Sequence, residues 1–212
     1  WSGDAIEFFI GRDARDLPSG RRIRAREVHA HPSYDPWTYH HDIAVVVLES
    51  AVDVAPVPVR LAALPWIVGA DALFVGYGVT SADGGSGVKR SVTMPIAEVD
   101  DYFIVNEAAG KNTCFGDSGG PALLTINGAL AVVGVTSAGA APNGGGDPCQ
   151  TTTFSTRVDA YGTWIAGKLD EPAPDCQDNA SICSCAEACQ ANGACDDSVC
   201  QIETCSDSYD CL

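Results

Sequence analysis

Apolar positions along this chain fall in short runs, most with a period of two. Ile6, Phe8 and Ile10 alternate with Glu7 and Phe9. Ile23 and Ala25 alternate with Arg22, Arg24 and Arg26, giving one apolar and one basic face. Asp42–Leu48 is a continuous apolar run after its first residue, the pattern of a buried strand. Ala72–Tyr77 and Ser91–Val99 read as further strands. Pro121–Ile126 and Ala129–Val135 flank Asn127-Gly128, a strong short hairpin signal. One segment has helical spacing. Asp159 is placed to cap it, and Tyr161, Trp164, Ile165 and Leu169 share one face. Many short strands, Gly-rich turns and one terminal helix predict an all-β barrel or sandwich.

Cysteine use divides the chain. Cys114 and Cys149 stand alone in the strand-rich part. Cys176, Cys183, Cys185, Cys189, Cys195, Cys200, Cys205 and Cys211 crowd the end, after a Pro-rich acidic linker at 170–175. So dense a segment reads as a disulfide module in an oxidising compartment, with roughly a hundred possible pairings. Zinc is the competing reading, disfavoured because the tail has no C-x-x-C pair and no histidine. The predicted organisation is 1–169 as one domain, 170–175 as linker and 176–212 as the Cys-rich module.

The formal charge is −16, and ten of the 28 acids but none of the 12 Lys and Arg lie from Asp170 onward. Such acidity argues against nucleic acid or anionic membrane as a partner. No stretch is long and apolar enough to be a transmembrane segment, and no signal peptide is visible. The runs at 84–87 and 144–146 are glycine-rich but lack the Lys-Ser/Thr of a phosphate loop. Asp196-Asp197 and 207–210 do not match the spacing of a calcium loop. No cofactor and no metal are expected.

The strongest chemical signal is Gly116-Asp117-Ser118-Gly119-Gly120-Pro121. A serine among glycines lets backbone N–H groups gather near its hydroxyl and lets a substrate approach closely, as a serine nucleophile needs. The segment fits G-x-S-x-G formally, but that elbow needs its histidine after the serine. His29, His31, His40 and His41 all precede Ser118. An Asp-His-Ser order would need a strand–helix alternation that is absent. The order His, Asp, Ser remains.

This segment resembles the nucleophile motif of the chymotrypsin/trypsin-like serine proteases. His31-Pro32-Ser33-Tyr34-Asp35 followed by Asp42–Leu48 resembles the family's segment bearing the triad aspartate. Val133–Gly139 resembles the strand along its primary specificity pocket, and 157–165 resembles the approach to its C-terminal helix. The resemblance covers about Trp1 to Leu169. It implies two six-stranded antiparallel β-barrels with the site between them, the first incomplete here, then the helix and the disulfide-rich tail. It implies a secreted serine endopeptidase with Ser118 as nucleophile, Asp42 as acid, and the Gly116 and Ser118 N–H groups as oxyanion hole. Ser137 would hydrogen-bond Asp42. Asn112, Thr113, Ser137, Ala138 and Gly139 would form the substrate pocket, bridged by a Cys114–Cys149 disulfide.

Three departures matter. The family's histidine lies well ahead of the aspartate, whereas Asp42 has only 41 residues before it. The expectation is therefore a domain lacking its front, with the histidine upstream of Trp1. A substitute base among the four histidines is disfavoured, since neighbours on a strand such as His41 and Asp42 point to opposite faces. Asn112 stands at the pocket base where trypsin-like enzymes carry an aspartate, so no strong preference for Arg or Lys is expected. Ala138 replaces a frequent tryptophan, and 151–153 run shorter than usual. Asp117 matches the residue that receives the ammonium freed by zymogen cleavage. The alternative function is a catalytically inactive homologue acting as a binding or regulatory module. The tail offers possible surface anchoring or target binding, with a plain spacer as the bland alternative.

Overall fold

Asn127 and Gly128 both have positive φ, 52° and 83°, and join two strands as a two-residue hairpin. Such a turn matches the right-handed twist of its flanking strands and favours Asn-Gly. In this computed structural model the described residues are 6–16, 18, 20–80, 84–140, 149 and 152–169. The linker 170–175 and the Cys-rich segment 176–212 lie outside them.

The strands are β1 (Glu7–Ile10), β2 (Arg21–Ala30), β3 (Ala44–Leu48), β4 (Asp71–Gly76), β5 (Arg90–Val99), β6 (Phe103–Asn106), β7 (Pro121–Ile126), β8 (Ala129–Ala140) and β9 (Thr152–Arg157). Strands β4-β5-β6-β9-β8-β7 close into a six-stranded antiparallel barrel. Alternation fills it. Ala72, Phe74, Met94, Ile96, Ile104, Ala122 and Val133 are all buried to 2 % exposure or less.

Among the described residues the N-terminal half forms a three-stranded antiparallel sheet, β1-β2-β3, with no second closed barrel. Ile23 and Ala25 of β2 are buried while Arg22, Arg24 and Arg26 face solvent, the two faces that the alternation predicts. Glu7 pairs with Arg22 at 2.9 Å across this solvent face. The strand expected over Asp42–Leu48 begins at Ala44 and is only half-buried. A strand reads as continuously apolar when both faces are covered, and this small sheet does not cover both.

The chain divides into two units. The first, 1–59 and 67–158, holds both sheets. The barrel and the three-stranded sheet are tied there by an isolated bridge between Asp13 and Val88, and by the Tyr77 hydroxyl donating to Gly11 O at 2.6 Å. The second unit, 60–66 and 159–212, contains a 3-10 turn (Asp159–Tyr161) and helix α1 (Gly162–Lys168). Asp159 is not the cap of α1. Tyr161 holds that position and makes no side-chain cap bond, while Asp159 Oδ2 accepts from the Leu64 N–H at 3.0 Å. Leu169, expected on the buried face, is exposed beyond the helix end. No helix among the described residues is long and apolar enough to cross a membrane.

Candidate functional site

The loop between β6 and β7 is shaped by glycines and by one carboxylate. Gly116 has φ +91°, a conformation costly for a residue with a Cβ. Its neighbour Asp117 turns inward: Oδ1 accepts from the Gly78 N–H at 2.7 Å and Oδ2 from the Cys114 N–H at 2.9 Å. Gly119 N–H donates to Thr136 O at 2.8 Å, and Thr136 N–H donates to Gly120 O at 2.9 Å, so β8 straps the loop down. These bonds leave Ser118 exposed on the loop. Among the described residues, neither the Gly116 nor the Ser118 N–H donates to another backbone group.

Beside Ser118 opens a cavity of about 240 Å³ lined by Tyr39, Thr113, Cys114, Phe115, Thr136, Ser137, Ala138 and Gly139. Cys114 is disulfide-bonded to Cys149, which fixes one wall. The β8–β9 register slips between Thr136 and Ala138, so Ser137 is the extra residue of a β-bulge. A bulge re-aims the side chain that it carries. Ser137 Oγ donates to Asp42 Oδ2 at 2.7 Å, across 95 residues of sequence.

Asp42 sits just before β3. The chain reaches it through Tyr39 and His41, both at φ 58°. Asp35 holds this strained approach. Its Oδ1 accepts from the Trp37 N–H at 2.9 Å and its Oδ2 from the Thr38 hydroxyl at 2.8 Å. Those bonds, the Trp37 one foremost, keep the Asp35 carboxyl below its ordinary range. Burial, and then the charge of Asp42, pushes the Tyr34 phenol up.

The four histidines are occupied elsewhere. His31 and His41 stack with centroids 5.0 Å apart, and His40 stacks on Tyr102 at 3.9 Å. His29 Nε2 lies 3.2 Å from Glu27. Partial burial, followed by the nearness of His41, lowers the His31 pKa. None of the four lines the cavity beside Ser118.

Sequence reasoning and geometry agree unevenly on the pocket. Thr113, Ser137, Ala138 and Gly139 share the cavity with Ser118. Asn112 does not line it. Its Oδ1 accepts from the Thr153 hydroxyl, and it lines a second cavity of about 270 Å³ together with Asp117. Tyr39, Phe115 and Thr136 line the first cavity without having been singled out. Phe115 did leave a signal, as a large apolar residue inside a Gly-rich loop, and it is 68 % exposed. Among the described residues no group of three or more His, Cys, Asp or Glu side chains could hold a metal ion.

Comparison with known proteins agrees with this geometry. Residues 2–165 match the family model described as Trypsin. Brachyurin from Leptuca pugilator is 33% identical over 165 residues, covering 68% of this chain and 67% of that protein. Serine proteinase stubble from Drosophila melanogaster is 29% identical over 184 residues, 75% of this chain but 22% of its own length. Kallikrein-8 from Mus musculus is 28% identical over 178 residues, 73% of this chain in the related case of trypsin Blo t 3 from Blomia tropicalis and 74% in its own over 182 residues. The chain thus spans about two-thirds of brachyurin and under a quarter of stubble. The extent of the family match, with the serine-bearing loop and its barrel inside it, shows that the chain belongs to the trypsin family of serine proteases.

Proposed function

We propose that this chain carries the nucleophile and the acid of a secreted serine endopeptidase. In this reading Ser118 Oγ attacks the carbonyl carbon of a peptide bond. Its proton passes to a histidine that the family resemblance places upstream of Trp1, and from there to the leaving amine. The Gly116 and Ser118 N–H groups stabilise the oxyanion, and Asp42 orients the imidazole and supports its positive charge. The partner is a protein or peptide substrate, and no cofactor is required. The Cys114–Cys149 disulfide supports an oxidising, extracellular setting.

The observation that carries the reading is the Ser137–Asp42 hydrogen bond. Ser137 lines the cavity of Ser118, so the bond brings an acid from one sheet to the edge of a nucleophile loop on the other. The test is labelling with a fluorophosphonate, using protein extended upstream of Trp1. One adduct on Ser118 is expected, absent in Ser118→Ala and about 10⁴-fold slower in Asp42→Asn, by analogy with the template triad. Failure of Ser118 to label overturns the enzyme reading.

One observation favours a second reading for residues 1–212 alone. No histidine lines the cavity, so the chain by itself would bind peptide without cleaving it. Labelling of Ser118 in the 212-residue chain at the rate of the extended protein would eliminate that reading.

A further inference from the structure

The cavity beside Ser118 has walls of a consistent character. Among the described residues no lining side chain is charged. Cys114 is a disulfide and offers no thiol. Two hydroxyls that could recognise a polar guest are already engaged. Thr113 Oγ1 lies 2.9 Å from Thr153 Oγ1, and Ser137 Oγ donates to Asp42. Both polar groups of the Thr136 backbone are bonded to the nucleophile loop. The Asp117 carboxylate is held by two backbone N–H groups and lines the other cavity.

The rim is aromatic. Tyr39 and Phe115 line the cavity and are 45% and 68% exposed, so each ring has free surface to cover with a guest. Tyr39 is held in place beforehand. Its N–H donates to Asp35 O at 2.8 Å, and Asp35 fastens Trp37 and Thr38 on either side of the loop tip. A rim ordered in advance loses little conformational freedom on binding. The volume of about 240 Å³ falls below the roughly 300–1,000 Å³ of sites for drug-sized molecules, which suits one side chain and its backbone.

We infer that this cavity selects uncharged, apolar side chains, aromatic or branched aliphatic, with Phe115 and Tyr39 as the specificity-determining residues. A Lys or Arg side chain would surrender its hydration to walls without an unpaired carboxylate, a large penalty. A Phe or Leu side chain gains burial between two rings and loses nothing polar. This inference names the substrate class for the protease reading and rests on it only for the identity of the cleaved bond.

Binding separates the two. In Ser118→Ala protein, N-acetylated, C-amidated tripeptides carrying Phe, Leu, Lys or Glu at the central position are titrated by NMR. The expected result is at least tenfold tighter binding of the Phe and Leu peptides than of the Lys and Glu peptides. Phe115→Ala should shrink that gap several-fold, and Phe115→Glu should draw the Lys peptide in. Phe115 is mostly exposed, so neither change removes core packing, and Tyr39→Ala provides an independent second variant. Equal affinities, a preference for Lys, or no binding of any peptide would overturn the inference. Selective binding by a protein whose Ser118 never labels would leave the pocket assignment standing and remove the protease.

Discussion

Gly78 donates its backbone N–H to Asp117 Oδ1 at 2.7 Å, and an ideal Cβ on Gly78 would fall 2.6 Å from that carboxylate. The carboxylate therefore occupies the space that any larger residue would need. Gly78→Ala is expected to cost about 1–3 kcal/mol as overpacking at a site held by backbone. Because Asp117 sits next to Ser118, fluorophosphonate labelling should fall with stability. Thermal melting and labelling on the same sample check this; an unchanged melt would show that Asp117 has room to move.

Ser137→Ala removes the donor to Asp42. A hydrogen bond to a charged group contributes about 1.5–3 kcal/mol, and solvent at this half-buried pair places the expected loss at the low end. A loss of that size in positioning the acid slows Ser118 labelling in the upstream-extended protein by about tenfold. Ser137→Thr, which keeps the hydroxyl, should restore most of it. Equal labelling of the alanine and threonine variants would count against a positioning role.

Reducing Cys114–Cys149 opens a link between residues 35 apart. Loop-closure arguments give about 2–4 kcal/mol of stability for a loop of that size. Denaturant melts with and without dithiothreitol measure the difference. The reduced protein should also lose its discrimination between Phe and Lys peptides, because Cys114 forms part of the cavity wall.

His31 predicts a pH dependence. Its native pKa lies below the ordinary value near 6.5, through burial first and His41 second. Between the depressed value and about 6.5 the unfolded chain holds more protons than the native one. Stability therefore rises with pH across that window, and this group adds no further slope above it. Acidification also removes an acceptor, since the Ser33 N–H donates to His31 Nδ1 at 3.3 Å. His31→Asn, measured by urea melts from pH 5 to 8, should flatten the curve below about 6.5.

The strands most visible in sequence are those whose pattern is local. β4, β5 and β7 alternate or carry a clear hairpin turn, and they lie where the periodicity predicts. β6 escaped notice because Phe103–Asn106 is four residues long and buried throughout, so it has no alternation to read. β9 escaped for the opposite reason. Thr152–Arg157 has one large apolar residue, yet Thr153, Ser155 and Thr156 are fully buried in the barrel. Asp159 looked like a helix cap because its acceptor, Leu64 N–H, is distant in sequence. In the site, the motif around Ser118 was legible. The displacement of Asn112 from the Ser118 cavity was not, because it depends on a bond to Thr153 across the barrel wall.

The closed barrel and the open sheet differ in how they answer heat. Every barrel strand has two neighbours, whereas β1 and β3 each have one among the described residues. Opening an outer strand breaks one ladder, so the sheet reaches locally unfolded states at lower free energy than the barrel. Ser118 belongs to the barrel side and Asp42 to the sheet side. Warming thus separates acid from nucleophile while the barrel still stands, and the chemistry fails before the fold does.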